Sequence, residues 1–197
     1  MKSKLTALSL VTFLFLSFKP VATETFVIDT NASSIEWVAG KVGGSHQGTI
    51  KIASGNLLFN GKNLSNGKFG IDMNTIAITD LKGTSNQNLL NHLKNDDFFS
   101  VAKHSLSTFI ITKVTPAGSD RVNITGDLTI KGVTHPLTFP ATVKRNKNTV
   151  AAVAKGVKVD RTKYDIKYRS KTFFGDIGDK AIDDEFELSI NLLAKKQ

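Results

Sequence analysis

The 197-residue chain has no cysteine. Disulfides, thiolate metal sites, a thiol nucleophile and a lipid-modified N-terminal cysteine are therefore all excluded. It has only four prolines, and no stretch rich in Pro, Ser and Gly divides it. No repeat of about 20–50 residues is visible. A single domain follows. Phosphate-binding loops, dinucleotide fingerprints and a Gly-x-Ser-x-Gly elbow are missing. Beyond the N-terminus no apolar run is long enough to cross a bilayer.

One apolar run is present, from Leu5 to Phe18. The basic residues Lys2 and Lys4 precede it, and Lys19-Pro20 and the small residues Val21-Ala22-Thr23 follow. This order is that of a secretory signal peptide, so residues 1–22 are expected to be removed and 23–197 to form the mature domain in a periplasmic or secreted location. The alternative is an uncleaved anchor. The formal charge of +9 falls to +6 once Lys2, Lys4 and Lys19 leave. That modest surplus suits attraction to anionic surfaces and not nucleic-acid binding.

From Phe26 onward, apolar and polar residues alternate, as in Ile35, Trp37 and Ala39 against Glu36, Val38 and Gly40. Period-two segments recur at 49–52, 56–59, 69–73, 75–79, 105–114, 122–131, 136–144, 149–159 and 185–193. Gly, Asn, Asp or Pro bounds most of them. A half-buried antiparallel sheet gives this signal. Only Ser85–Lys94 reads as a helix, with Leu89, Leu90 and Leu93 on one face; Asp160–Tyr168 reads as a shorter turn. About eight to ten strands with one helix suit a closed barrel or a sandwich. A barrel of eight strands is just wide enough for one small ligand.

Candidate chemistry is sparse. His46, His92, His104 and His135 show no metal-ligand spacing, so no metal, cofactor or catalytic residue is expected. Carboxylates at Asp96-Asp97 and Asp183-Asp184-Glu185 lie adjacent on extended chain and point apart. Lys155, Lys158, Arg161, Lys163, Lys167, Arg169 and Lys171 form a basic stretch, followed by an acidic one. It is a solvated face, or a basic rim that draws an anionic head group toward a pocket. All the mature-chain phenylalanines except Phe26 and Phe69 fall in or beside segments expected to be core.

Three blocks carry a family likeness: LLNHLKNDDFFSVAKHSLSTF at 89–109, GDLTIKGVTHPLTF at 126–139 and DRTKYDIKY at 160–168. With the opening Ile28-Asp29 to Ser34-Ile35-Glu36-Trp37, they resemble the YceI-like family of exported proteins from about Phe26 to Ala194. The resemblance implies an all-β fold, a single eight-stranded antiparallel lipocalin-like barrel with one short helix. Its lumen would hold a polyisoprenoid chain of the quinone or polyprenyl type, making the protein a carrier and not an enzyme. His104-Ser105 stands where members often have Pro, and Asp165 where Gly tends to follow the aromatic residue of the Arg-x-x-aromatic motif.

Strand alternation then nominates Trp37, Phe59, Phe69, Ile71, Phe109, Leu128, Ile130, Leu137, Phe139, Phe186 and Leu188 as lumen residues. Phe98 and Phe99 would plug or anchor one end. Arg161 and Tyr164 would make polar contacts near the mouth. The expected partner is an isoprenoid lipid or quinone, with no nucleic acid and no membrane span after signal cleavage; a homodimer is left open. Burying about 400 Å² of such a chain releases on the order of 10 kcal/mol before association costs. Two rival readings stay open: an enzyme acting on the lipid head group, with His92 and Asp96 or Asp97 at the cavity, and a ligand-free stress-protective protein with a filled barrel.

Overall fold

Strands with one apolar face each must bury that face, and here they do so by curling into a ring. A computed structural model describes residues 23–175 and 177–197; the expected signal peptide, residues 1–22, lies outside them. The strands are β1 (Thr23–Ile28), β2 (Ser34–Lys41), β3 (Gly44–Asn60), β4 (Asn63–Ile78), β5 (Leu106–Pro116), β6 (Arg121–Ile130), β7 (Val133–Arg145), β8 (Thr149–Asp160) and β9 (Ile182–Lys196). Helix α1 (Gly83–Lys94) joins β4 to the β5 side, and the one-turn α2 (Lys171–Phe174) follows a 3₁₀ turn at Arg161–Tyr164.

The ring runs β3-β2-β9-β8-β7-β6-β5-β4 and closes by β4 pairing with β3, giving an eight-stranded antiparallel barrel. The ninth strand shares a wall position. β2 fills the gap between β3 and β9 at one end (Trp37 opposite Gly48 and Leu188), and β1 fills it at the other (Phe26 opposite Leu57 and Lys196). Closure leaves no free sheet edge around most of the ring.

The segments 49–52 and 56–59, which read as separate strands, are one 17-residue strand; 69–73 and 75–79 likewise belong to one 16-residue strand. Ser54-Gly55 is not a turn. The register slips between Ile52 and Ser54 instead, a bulge that bends a long strand around the barrel without ending it. Helix α1 begins two residues earlier than the pattern suggested.

The β1 end is sealed. Phe26 and Phe59 pack edge to face at 5.3 Å, and the Arg145 guanidinium lies 4.9 and 4.7 Å from their ring centres. Arg145 also pairs with Glu24 at 2.8 Å and donates to the Gly61 carbonyl.

At the α1 end the wall is looser. β7 pairs with β8 only over Thr142–Arg145, so Val133–Ala141 has β6 alone as a ladder partner. Pro136 and Pro140 fall in that stretch, in keeping with the confinement of proline to strand edges. β8 turns away at Gly156, whose backbone is left-handed (φ 63°) and where its register with β9 slips. Tyr164 covers the seam, edge-on against His135 at 5.4 Å.

Candidate functional site

The barrel encloses two apolar chambers in series. The chamber toward α1 has a volume of about 160 Å³ and the deeper one about 80 Å³. Ile35, Ile71, Phe109, Phe139 and Ile190 line both and form a waist between them. Phe109 stands at its centre, 5.6 Å from the Phe139 ring and 6.4 Å from Phe69. The polar residues lining the α1-end chamber are Ser107, Arg161 and Asp183; the deeper chamber has none among its lining residues.

Two close approaches shape this lumen. Gly48 lies opposite Trp37, where a Cβ would sit 1.8 Å from the Ala77 carbonyl and 2.5 Å from the indole. Gly126, which opens the GDLTIKGV block, faces the Phe109 ring, and a Cβ there would come within 2.4 Å of it. Such contacts are not sustainable, so glycine lets each inward aromatic lie flat along the wall.

The same block ends in the two-residue turn Lys131-Gly132, both with positive φ (52° and 77°), the geometry that matches hairpin twist. That turn aims Lys131 Nζ at the carbonyls of Asp96 (3.1 Å) and Asp165 (3.2 Å). It thereby clasps the loop after α1 to the turn after β8. The end of α1 and the loop after it carry Leu93, Phe98 and Phe99 over the α1-end chamber, anchored by Phe99 N–H to the Leu93 carbonyl (3.1 Å) and Val101 N–H to the Lys94 carbonyl (2.9 Å).

Arg161 is only 4 % exposed. It donates from Nε to the Asp183 carbonyl (2.9 Å), from Nη1 to that of Ile166 (2.8 Å) and from Nη2 to that of Ile182 (3.0 Å). Asp184 Oδ1 lies 3.7 Å from Nη2. Burial pulls the guanidinium below its ordinary pKa, against the opposing pull of Asp184, Asp160 and Asp183. Its single side therefore ties three carbonyls of the mouth segments together while its flank borders the chamber. Asp165, at the site where Gly tends to occur in the resembling family, is left-handed (φ 58°, ψ 31°). The position requires positive φ, and aspartate is among the few residues that tolerate it.

Of the nominated lumen residues, Trp37, Ile71, Phe109, Leu128, Ile130, Leu137, Phe139, Phe186 and Leu188 face the α1-end chamber and Phe69 the deeper one. Phe59 lines neither. It is 1 % exposed in the seal beneath, because β1 takes the wall position there and caps the lumen above it. Tyr164 also lines neither chamber: it fills the β7–β8 seam, and burial raises its phenol pKa, with Asp160 adding to the shift.

Phe26 and Phe69, set apart from the expected core, are buried, whereas Phe173 and Phe174 are exposed. The acids considered with His92 are solvent-facing: Asp96 pairs with Lys103 at 2.7 Å, 69 % of its side chain exposed, and Asp97 is exposed. His92 packs on Tyr168 and Phe98 at 4.6 and 4.9 Å. The lumen also takes Val157, Ala152 and Ala154 from β8 and Ile35 and Ile190 at the waist, none of which strand alternation had nominated.

The sequence matches the YceI-like domain over residues 26–194. The chain belongs to the YceI-like family. A Vibrio campbellii UPF0312 protein is 32% identical over 144 residues, 72% of this chain and 74% of that protein. Protein YceI of Escherichia coli is 37% identical over 94 residues, under half of either chain (48% and 47%).

Among solved structures, Burkholderia cenocepacia BcnA superposes with a TM-score of 0.70 at 20% identity, over 85% of this chain and 99% of that one. A polyisoprenoid binding domain from Saccharophagus degradans gives 0.61 at 15% identity, over 87% and 98%. The barrel fold is thus shared at low overall identity. No helix among the described residues is long and apolar enough to cross a membrane.

Proposed function

We propose that the protein is an exported carrier that sequesters a polyisoprenoid chain, of the quinone or polyprenyl type, inside its barrel. The observation that carries this reading is the pair of chambers that share one waist, apolar along the deeper half and nearly so along the rest. A polyprenyl tail has no polar atoms to satisfy and gains free energy in proportion to the apolar surface it hides. A polyisoprenoid binding domain with the same fold supports the choice of ligand class. Export is supported by the sequence of residues 1–22.

The lining sets a length. Along β9 it runs from Ile182 to Leu192, ten residue steps. At about 3.3 Å per residue and a strand tilt near 40°, that is roughly 25 Å along the barrel axis. An extended carbon chain advances about 1.2 Å per bond, so the lining is as long as about five isoprene units, and admitting that many requires the walls to part beyond the 160 and 80 Å³ that the chambers enclose.

The test is to purify the exported protein from its native compartment, extract it with solvent and identify lipid by mass spectrometry. Solanesol supplied from detergent gives an independent arm. A prenyl lipid in the native extract and saturable solanesol uptake are expected. Repeatedly empty protein that also takes up no solanesol overturns the reading.

A further inference from the structure

A carrier must meet the place where its cargo dissolves. The α1 end of the barrel bears an apolar tip: Phe173 and Phe174 are 49 % and 55 % exposed on α2, and Val42 of the β2–β3 turn is 41 % exposed. Val42 N–H donates to the Ala181 carbonyl at 3.1 Å, which ties the β2–β3 turn to the chain just before β9. The segment is fixed to the mouth of the α1-end chamber. Ile182 N–H reaches the Arg169 carbonyl (2.9 Å) and Thr172 Oγ1 donates to Asp184 (2.6 Å), while Ile182 and Asp183 line the cavity.

Basic residues flank the two rings along the chain. Lys163, Lys167, Arg169, Lys171 and Lys180 lie on the 163–180 segment and Lys41 precedes Val42, against Asp165, Asp176 and Asp179. Asp165 is paired with Lys167 at 2.8 Å, and Lys167 Nζ rests 5.1 Å from the Phe173 ring. At the start of β9, Glu185 is engaged by Lys158 and Asp184 by Thr172 and Arg161, with Asp183 and Glu187 beside them.

We infer that this tip is a docking surface for an anionic lipid bilayer. Two adjacent phenylalanines flanked by lysines have the make-up of an interfacial anchor: rings enter the headgroup boundary and ammonium groups meet lipid phosphates. Their placement at the cavity mouth lets a prenyl chain pass between bilayer and lumen without crossing water. This inference rests on the carrier reading for its purpose, though not for its measurement.

Sedimentation with vesicles of phosphatidylethanolamine and phosphatidylglycerol (3:1), free of any prenyl lipid, tests it. Wild type is expected to partition onto them, less so in 500 mM salt and weakly onto pure phosphatidylcholine. The F173A/F174A variant changes two exposed side chains and should lose partitioning by roughly tenfold or more. L106A/I110A, an equally exposed apolar pair on the β5 wall, should bind as wild type does. Circular dichroism and solanesol uptake from detergent are run on every variant.

The docking inference is overturned if wild type ignores the anionic vesicles, if F173A/F174A binds them undiminished, or if L106A/I110A is as impaired. Should the vesicle results hold while no variant takes up solanesol, docking stands and the carrier reading falls.

Discussion

The waist offers a direct measure of whether the chambers act as one tunnel. Ile71 on β4 borders both and is only partly buried, because part of its side chain looks into the void. Replacing it with tryptophan should fill the constriction. Overpacking a filled core costs about 1–3 kcal/mol, but here the indole enters empty space and hides further apolar area, so folding stability should change by about 1 kcal/mol or less. Cargo length should change much more. The deeper chamber lies between the waist and Val143 on β7, four residues beyond Phe139, which at the same rise and tilt adds roughly 10 Å, or about two isoprene units.

At about 0.3 kcal/mol per heavy atom, each five-carbon unit contributes about 1.5 kcal/mol, close to tenfold in affinity. Wild type should therefore bind prenyl alcohols more tightly with each unit up to about five and then level off. I71W should level off at about three, with a roughly hundredfold weaker hold on the longer chains. A chain-length series read by native mass spectrometry and competition resolves the two plateaus. I35F, on β2 at the same waist with β3 between it and β4, guards against a local misfolding artefact. If both variants keep the wild-type plateau, the chambers do not act in series and the length argument fails.

Three further outcomes are expected. R161M strips three mouth carbonyls of their buried donor and should cost about 3–5 kcal/mol, lowering the melting temperature by roughly 10 °C; a loss under about 1 kcal/mol would show that the guanidinium is not what ties the mouth segments together. At the left-handed position, D165G should be neutral or stabilising by up to about 1 kcal/mol and D165A destabilising by about as much, so melts that rank alanine above glycine refute the backbone argument. Acid should weaken the sealed end: hydrogen bonds from Lys196 and then Arg145 hold the Glu24 carboxyl below the usual range, as Lys195 does for Asp29. Depressed folded values mean stability that is intact above the unfolded value near about 4 and is lost as pH falls through the folded ones, so urea midpoints should drop below about pH 4 and E24Q should flatten that drop.

Much of the lumen was readable because β-strand geometry is strict. Once Trp37 or Phe139 is placed inward, its neighbours two residues away follow. The alternation in 126–139 therefore gave Leu128, Ile130, Leu137 and Phe139 together, and the order of the three blocks pointed to a barrel over a sandwich. What stayed hidden depends on partners far along the chain. Phe59 alternates correctly and still misses the lumen, because the wall position beside it passes from β2 to β1. β8 contributes Ala152 and Ala154, whose small side chains leave space for a ligand but give almost no hydrophobic signal.

The mouth was the least legible part, for a related reason. Arg161 reads as one charge in a basic stretch, yet what it binds is main-chain carbonyl, and carbonyls carry no sequence signature. Phe173 and Phe174 read as core because phenylalanine usually is. Only the three-dimensional position of α2, held out from β9 by a single threonine–aspartate bond and bordered by lysines, shows that these rings face away from the core. Burial of aromatic rings is the default outcome of folding, so two adjacent rings left in water at the opening of a greasy cavity call for a partner. A bilayer supplies both the apolar boundary the rings need and the anionic surface the lysines match.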